Sequence, residues 1–459
     1  MIIELQEEID NFLKEYIEND IIIIPVFCDI THHPANNQLS FLFIKFLKKD
    51  EYYILPFNHN ECINLPIEFL EKLNTGNKKF VFNKKEFLHI FHFKNLIDIN
   101  VLYYINTNKH DESTYTKELL LPSSYALANR FFSNAKNVGK ALPILQYYSN
   151  LISISNNLES IINENIYAEF EDAFKFLNTN TKECLYNIER EGLHVNRTLV
   201  EKFFPKVVNQ MSTNHNFYTQ YNTYTITGRP SNKFANINFA ALHRENGERG
   251  CFDTRFGDDG ELVLFDYDAY HLRLMADIVN YAFPDNVNIH DYLGKIYFKK
   301  DELTEEEYGE SKSVSFEILY GGIDESVSKE IPFFNFAKQY VNNIWEIAQG
   351  CGYAETIISK KKLLLSNFDA LNKNKLFNYI LQNYETESNI LVMQDIQSFL
   401  VKNNCKSKLI LYLYDGFLFD MHTDDIDILL KMKEILQRSG KYPVKTYKGR
   451  DFQNMVKIE

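Results

Sequence analysis

Apolar residues change period along this chain, and the changes mark out its elements. Residues 1–20 carry helical apolar spacing and predict an amphipathic helix. The short β-branched run Ile21-Ile-Ile-Ile-Pro-Val-Phe27 predicts a buried strand ending near Cys28-Asp29-Ile30-Thr31. Further strands are expected at Leu39–Leu47, Tyr52–Pro56 and Lys79–Phe82, with a helix at Ile67–Leu73. That alternation predicts an α/β layer. From about Ser124 to Phe176 the pattern is mostly helical, and the polar Asn178-Thr-Asn-Thr181 reads as a loop. In the second half, Leu262-Val-Leu-Phe265 runs into Asp266 and Asp268, then turns helical through Leu272, Leu274 and Met275. Carboxylates at the end of a buried strand are held rigidly, which suits a divalent-metal site. Leu409–Asp420 repeats the motif as strand, Asp415, Gly416 and strand, a hairpin with Asp415 at its tip. Lys312, Phe316 and Tyr320 recur every four residues, a drift of only ~40° per step, so they share one helical face.

Composition narrows the classes. A chain of 459 residues accommodates two or three domains, and 45% hydrophobic content supports real cores. A net charge of −13 argues against a uniformly basic nucleic-acid coat but leaves room for a local basic groove. Six cysteines without C-x-x-C spacing speak against a zinc site or a disulfide framework and fit a reducing compartment. The N-terminus is acidic and no apolar run reaches membrane-spanning length, so a soluble, cytoplasmic protein with no membrane partner is expected. His32, His33, His59, His89 and His92 lack any known ligand spacing, and the plain reading is loop and core histidines.

Several stretches resemble, in order, the motifs of family A DNA polymerases, the DNA polymerase I superfamily. Glu189-Arg-Glu-Gly-Leu-His-Val-Asn196 is similar to the entry into the polymerase domain, and Thr227-Gly-Arg-Pro-Ser-Asn232 to Thr-Gly-Arg-Leu-Ser-Ser. Asp266-Tyr-Asp-Ala-Tyr-His-Leu-Arg273 resembles the first catalytic motif, Asp-Tyr-Ser-Gln-Ile-Glu-Leu-Arg. Lys312-x-x-x-Phe316-x-x-x-Tyr320-Gly321 matches the fingers helix, Gly352–Lys362 the Gly-Tyr-Val-Glu-Thr stretch with its three cations, and Tyr414-Asp415-Gly416 the Val-His-Asp-Glu hairpin. The order of elements at the N-terminus resembles the proofreading 3′–5′ exonuclease domain.

The resemblance implies an α/β exonuclease-like (ribonuclease H-like) domain at residues 1–165, followed by an α+β polymerase palm and fingers. A helical connector with a reduced thumb spans 166–222, palm 223–284 and 386–459, and fingers 285–385. It implies a template-directed DNA polymerase working by two-metal phosphoryl transfer on primer-template DNA and dNTPs, in a phage or bacterial replication setting. Asp266 and Asp415 carry over as ligands of two Mg²⁺ (or Mn²⁺), with Tyr267 lending its carbonyl, and Lys312 as the cation at the leaving group. His271, Arg273, Tyr308, Phe316 and Tyr320 carry over to the nucleotide; Arg229, Gln394, Lys360, Lys361 and Lys362 carry over to the nucleic acid. The departures are specific. His271 stands for a Glu, Asp268 for a Ser, Tyr308 for an Arg, Tyr414 for a His and Gly416 for a Glu. Asp29 alone survives of the exonuclease ligands, since Thr31 and Phe87 replace two others, so proofreading is not expected. Only about one helix fits between Val195 and Thr223, so a processivity or replisome partner is expected to supply the thumb's grip. The alternatives are a catalytically retired polymerase fold serving as a nucleic-acid scaffold, and a single-subunit RNA polymerase or terminal transferase.

Overall fold

The computed structural model describes residues 1–29, 32–108, 138–141, 144–162, 170–243, 245–284 and 287–458. The chain divides into two compact units, Met1–Tyr224 with Asn232–Cys251, and Thr225–Ser231 with Phe252–Glu459.

The first unit is built on helix α1 (Gln6–Glu18), strands β1 (Ile21–Phe27), β2 (Leu39–Phe46) and β3 (Tyr52–Pro56), and the helical turn α2 (Phe69–Lys72). Strand β4 (Lys79–Val81), helix α3 (Lys84–Leu88), strand β5 (Leu96–Asp98) and helix α4 (Ile99–Thr107) follow. The sheet order is β3-β2-β1-β4-β5, antiparallel from β3 to β1 and parallel from β1 to β5. Every residue of β1 is buried, as a continuous β-branched run demands when both faces of a sheet are covered. Ile21 and Ile23 pack with Phe12 and Tyr16 of α1, while Ile22 and Ile24 pack on the other face with α4 and with helix α5 (Ile144–Ile162). The expected strands at 21–27 and 52–56 are observed, and the expected helix at 67–73 shrinks to the single turn α2. Residues 124–137, the start of the expected helical region, lie outside the described residues.

Asn178–Thr181 is not a loop. Helix α6 (Glu171–Lys175) passes through a π-helical stretch, Phe176–Thr181, into helix α7 (Lys182–Glu191). The wider turn brings Asn178 onto the edge of β5. Its Oδ1 accepts from the Asp98 amide at 2.8 Å, and its carbonyl accepts from Lys84 Nζ at 2.9 Å. Polar character misled because these amides are satisfied by tertiary partners rather than by water.

Short strands β6 (Leu193–His194) and β7 (Asn216–Phe217) pair antiparallel around the seven-residue helix α8 (Arg197–Phe203). Strands β8 (Tyr221–Asn222), β9 (Ser231–Phe234) and β10 (Ile237–Asn238) form a small three-stranded sheet.

In the second unit, strand β11 (Gly260–Tyr267) leads into helices α9 (Tyr270–Ile278), α10 (Ile289–Phe298) and α11 (Glu305–Gly321). Helices α12 (Glu325–Glu330) and α13 (Pro332–Cys351), the hairpin β12 (Tyr353–Glu355) and β13 (Lys362–Leu364), and the 30-residue helix α14 (Lys373–Lys402) come next. Strands β14 (Lys408–Leu413) and β15 (Gly416–His422), helix α15 (Leu429–Gln437), β16 (Val444–Gly449) and β17 (Val456–Lys457) close the chain. The sheet order is β14-β15-β11-β16-β17, antiparallel throughout. Strand β11 is therefore central, and its last residues emerge between the β14–β15 turn and the start of β16. Among the described residues no helix is long and apolar enough to cross a membrane.

Candidate active site

The register of the second sheet decides where the acids meet. Asp266 pairs with Gly416 on one side and with Lys445 on the other, and the Tyr267 amide donates to the Asp415 carbonyl at 3.0 Å. Asp415 sits in the two-residue connection after Leu413. Tyr414 adopts a left-handed φ of 63°, and Asn389 of α14 donates to the Tyr414 carbonyl at 2.6 Å. A tyrosine in that region is costly by about 1–3 kcal/mol and persists only when its surroundings enforce it. The turn thereby places Asp415 beside Asp266. Burial, and then repulsion by Asp415, push the Asp266 carboxyl up to about 7. Burial and the nearby Glu385 likewise push Asp415 up. Asp266, part-buried at the strand end, and Asp415, at the exposed turn tip, together form an oxygen-only donor set, and it fits a hard divalent cation. Tyr267 offers only its backbone there, because its hydroxyl donates to the Leu436 carbonyl at 2.7 Å.

Helix α11 brings its stripe together as predicted. Thr304 and Glu307 form a capping box at its start, which fixes the helix entry. Phe316 and Tyr320 stack with ring centres 6.0 Å apart, and Lys312 Nζ lies 4.4 Å from the centre of the Tyr308 ring. Lys312 is also close enough to Asp266 to oppose the rise of its carboxyl pKa.

Arg229 occupies a place the sequence does not suggest. Gly228, at φ +72°, lets the Thr225–Ser231 turn press against α14, where a Cβ would lie 2.2 Å from Asn383 Oδ1. The turn thus folds with the second unit. Arg229 is not free to grip a backbone phosphate, since its guanidinium is ion-paired with the buried Glu385 and lies 5.0 Å from the centre of the Tyr414 ring. His271 joins the same network, with Nε2 2.8 Å from Arg229 Nη2 and 3.1 Å from Glu385 Oε1. Burial opposes ionisation of Glu385, but His271 and Arg229 together hold its carboxyl below the usual range. The His271 ring meets Tyr320 edge-on at 5.7 Å, so it borders the α11 stripe. Nothing in the sequence singled out Glu385, which stands with Glu387 in the polar run Gln382–Asn389 of α14.

Two further residues were missed. His290, near the start of α10, has its ring 5.8 Å from Phe316 and lies within electrostatic reach of Asp268, Lys312 and Lys445; burial lowers its pKa to about 4. Lys445, on β16, forms an ion pair with Asp268. Asp268 is also approached by Arg273, whose Nε donates to the Asp268 carbonyl at 3.0 Å. Asp268, the acid that replaces a Ser in the resemblance, is therefore neutralised locally.

Of the three cations at 360–362, Lys360 is exposed, whereas Lys361 is buried, its amide donating to Thr356 Oγ1 at 3.0 Å. Lys362 Nζ lies 5.0 Å from the centre of the Tyr353 ring. The loop is tied to α14 by Glu387, which accepts from the Ile358 and Ser359 amides at 2.9 and 3.1 Å. The exposed face is accordingly narrower than a run of three lysines suggests. Gln394 is half-exposed on α14.

In the first unit, Asp29 is buried at the end of β1, 2.7 Å from His32 Nδ1. Thr31 lies outside the described residues, and Phe87 is in the core. A second acid at a strand end, Asp98, is spent on structure, accepting from the amides of Lys84, Asn100 and Val101 and pairing with Lys182 at 3.3 Å. His33, His89 and Glu189 come within metal-ligand reach of one another. Lys85 already pairs with Glu189, and His33 Nδ1 accepts from the Ala35 amide at 3.1 Å. Because that acceptor role puts the neutral ring's proton on Nε2, the cluster reads as a charge-matched buried core rather than a ligand set.

The profile of DNA polymerase family A matches residues 188–446, more than half of the chain, and the chain belongs to that family. DNA polymerase I of Caldicellulosiruptor bescii is 27% identical over 247 residues, covering 47% of this chain and 28% of its own length. A DNA polymerase of Bacillus phage SP01 is 21% identical over 318 residues, 59% of this chain and 34% of its own. The matched segments thus span about three tenths of these relatives. A solved POL domain of Pol1 from M. smegmatis, in complex with DNA primer-template and dNTP, superposes with a TM-score of 0.72 at 14% identity, covering 99% of this chain and 100% of that one. It shares the fold.

Proposed function

We propose that this chain is a template-directed DNA polymerase that adds deoxynucleotides to a primer 3′ end. The observation that carries the reading is the Asp266–Asp415 pair, set side by side by the β11–β15 register, with Lys312 of the α11 stripe within electrostatic reach of Asp266. Asp266, Asp415 and the Tyr267 carbonyl would hold Mg²⁺, or Mn²⁺ in its place. Two such ions, when bound, make the primer hydroxyl a nucleophile and neutralise the triphosphate. Lys312 then meets the leaving group, Phe316 and Tyr320 test the shape of the new base pair, and closure of α11 excludes water. Gln394 faces the minor groove, Arg229, oriented by Glu385, meets the nucleic acid, and the exposed Lys360 with the half-buried Lys362 faces backbone phosphates. His271, buried against Tyr320 and tied to Glu385, is the residue at the sugar.

The order and sense of the β3-β2-β1-β4-β5 sheet support an exonuclease-like reading of the N-terminal region. One carboxylate, Asp29, is insufficient for two cations, so proofreading is lost. The short α8 in place of long thumb helices leaves the grip on the duplex to a partner protein.

The test is primer extension with Mg²⁺, using dNTPs or NTPs, with and without template, for wild type and Asp415→Asn. Template-dependent dNTP addition by wild type, lost in the variant, is expected, with no excision of a mispaired 3′ end. No extension by wild type leaves the scaffold reading; NTP use or untemplated addition leaves the RNA polymerase or transferase reading.

A further inference from the structure

Lys445 is a cation that the two-aspartate chemistry does not use. It lies directly opposite Asp266 across the β11–β16 ladder, and directly opposed residues project from the same face of a sheet. Its ammonium therefore rises beside the acids, where it opposes the increase of the Asp266 pKa. On that face it is within electrostatic reach of Tyr308, the ring that carries Lys312, and of His290. It is half-buried, and Asp268 holds its ammonium as an ion pair. Asp268 is itself fixed: its amide donates to the Pro443 carbonyl at 2.9 Å, and Arg273 grips its own carbonyl. A strand-borne lysine with a rigid acid behind it is preorganised, because little side-chain freedom remains to be lost when an anion arrives.

Electrostatics say which anion. The divalent cations would take up the charge of Asp266 and Asp415, whereas a nucleoside triphosphate brings about four further negative charges against Lys312 on α11. Lys445 approaches the same space from the sheet side.

We propose that Lys445 is a second polyphosphate-binding residue, gripping the incoming nucleotide from β16 while Lys312 grips it from α11, with Asp268 positioning the ammonium. This rests on the polymerase reading and adds to it a contact from the palm strand. The rival account makes Lys445 a plain counter-ion of Asp268, and the two separate experimentally.

The experiment measures equilibrium binding of dATP to the full chain on a dideoxy-terminated primer–template with Ca²⁺, alongside the KM for dATP in extension. Lys445→Met is expected to weaken both about tenfold, the scale of one charge-assisted contact, with primer–template affinity unchanged. Tyr308→Arg in the Lys445→Met background is expected to recover most of the loss, since an arginine there reaches the same space. Asp268→Asn/Lys445→Met is expected to stay weak. Unchanged dATP binding in Lys445→Met, or full recovery in Asp268→Asn/Lys445→Met, overturns the proposal while the polymerase reading stands. A wild-type chain that binds no dATP overturns both.

Discussion

Neutralising one of the paired aspartates should stabilise the metal-free protein while destroying its proposed activity. Asp266 is pushed up to about 7 from an ordinary value of 3.8, about three units, and each unit corresponds to about 1.4 kcal/mol. Keeping it ionised at pH 8 therefore costs the folded state up to about 4 kcal/mol relative to the unfolded chain. The sign follows from the raised value. The folded carboxyl is fully at ease only below about pH 4, and its penalty grows from there to about pH 7 and then levels off. Asp266→Asn removes the penalty, and after allowance for partial exposure and lost hydrogen bonding we expect a gain of about 1–3 kcal/mol in EDTA at pH 8. The gain should vanish toward pH 4. Mg²⁺ should reverse the order, stabilising wild type by mass action and leaving the variant little changed. Urea unfolding at pH 4, 6 and 8, with EDTA or Mg²⁺, reads all of this without any assay of activity. A variant less stable than wild type in EDTA at pH 8, or an equal Mg²⁺ response in both, would refute the paired-carboxylate reasoning.

Three further outcomes follow from the same contacts. Glu385→Gln keeps the shape but withdraws the charge beneath Arg229 and His271; a loss of about 2–4 kcal/mol in urea unfolding and a marked fall in primer extension are expected. Gly228→Ala drives a Cβ against Asn383 and imposes a strained φ, with a loss of about 1–3 kcal/mol, and the double variant Gly228→Ala/Asn383→Ala should recover the steric part only. His33 is buried neutral with its pKa lowered to about 3, so acid favours the unfolded chain, which takes up the proton below about 6.5. The contribution of His33 to stability should therefore fall as pH drops from 6.5 toward 3, opposite in sign to that of Asp266, and the difference between wild type and His33→Phe in urea titrations between pH 6.5 and 4.5, above the range where Glu189 contributes, should isolate it.

What the sequence determined by itself was local and periodic. The Ile21–Phe27 run, the Leu262–Asp266 strand end, the Leu409–Asp420 hairpin and the four-residue spacing of Lys312, Phe316 and Tyr320 each specify an element whose partners are a few residues away. Period and turn chemistry act at that range, so these were legible. The order of motifs made Asp266 and Asp415 a pair. Their adjacency needed the β11–β15 register, in which a shift of one residue would turn each side chain to the other face. The remainder depended on long-range contacts that no local pattern encodes. Asn178 reads as loop because its partners on β5 lie 80 residues away in the chain. Arg229 reads only as a nucleic-acid contact because Glu385, which holds it, is 156 residues downstream. Lys445 looks like any lysine on a closing strand until antiparallel pairing sets it across from Asp266. A buried charge takes its meaning from its counter-charge, and here only the tertiary structure chose the partners.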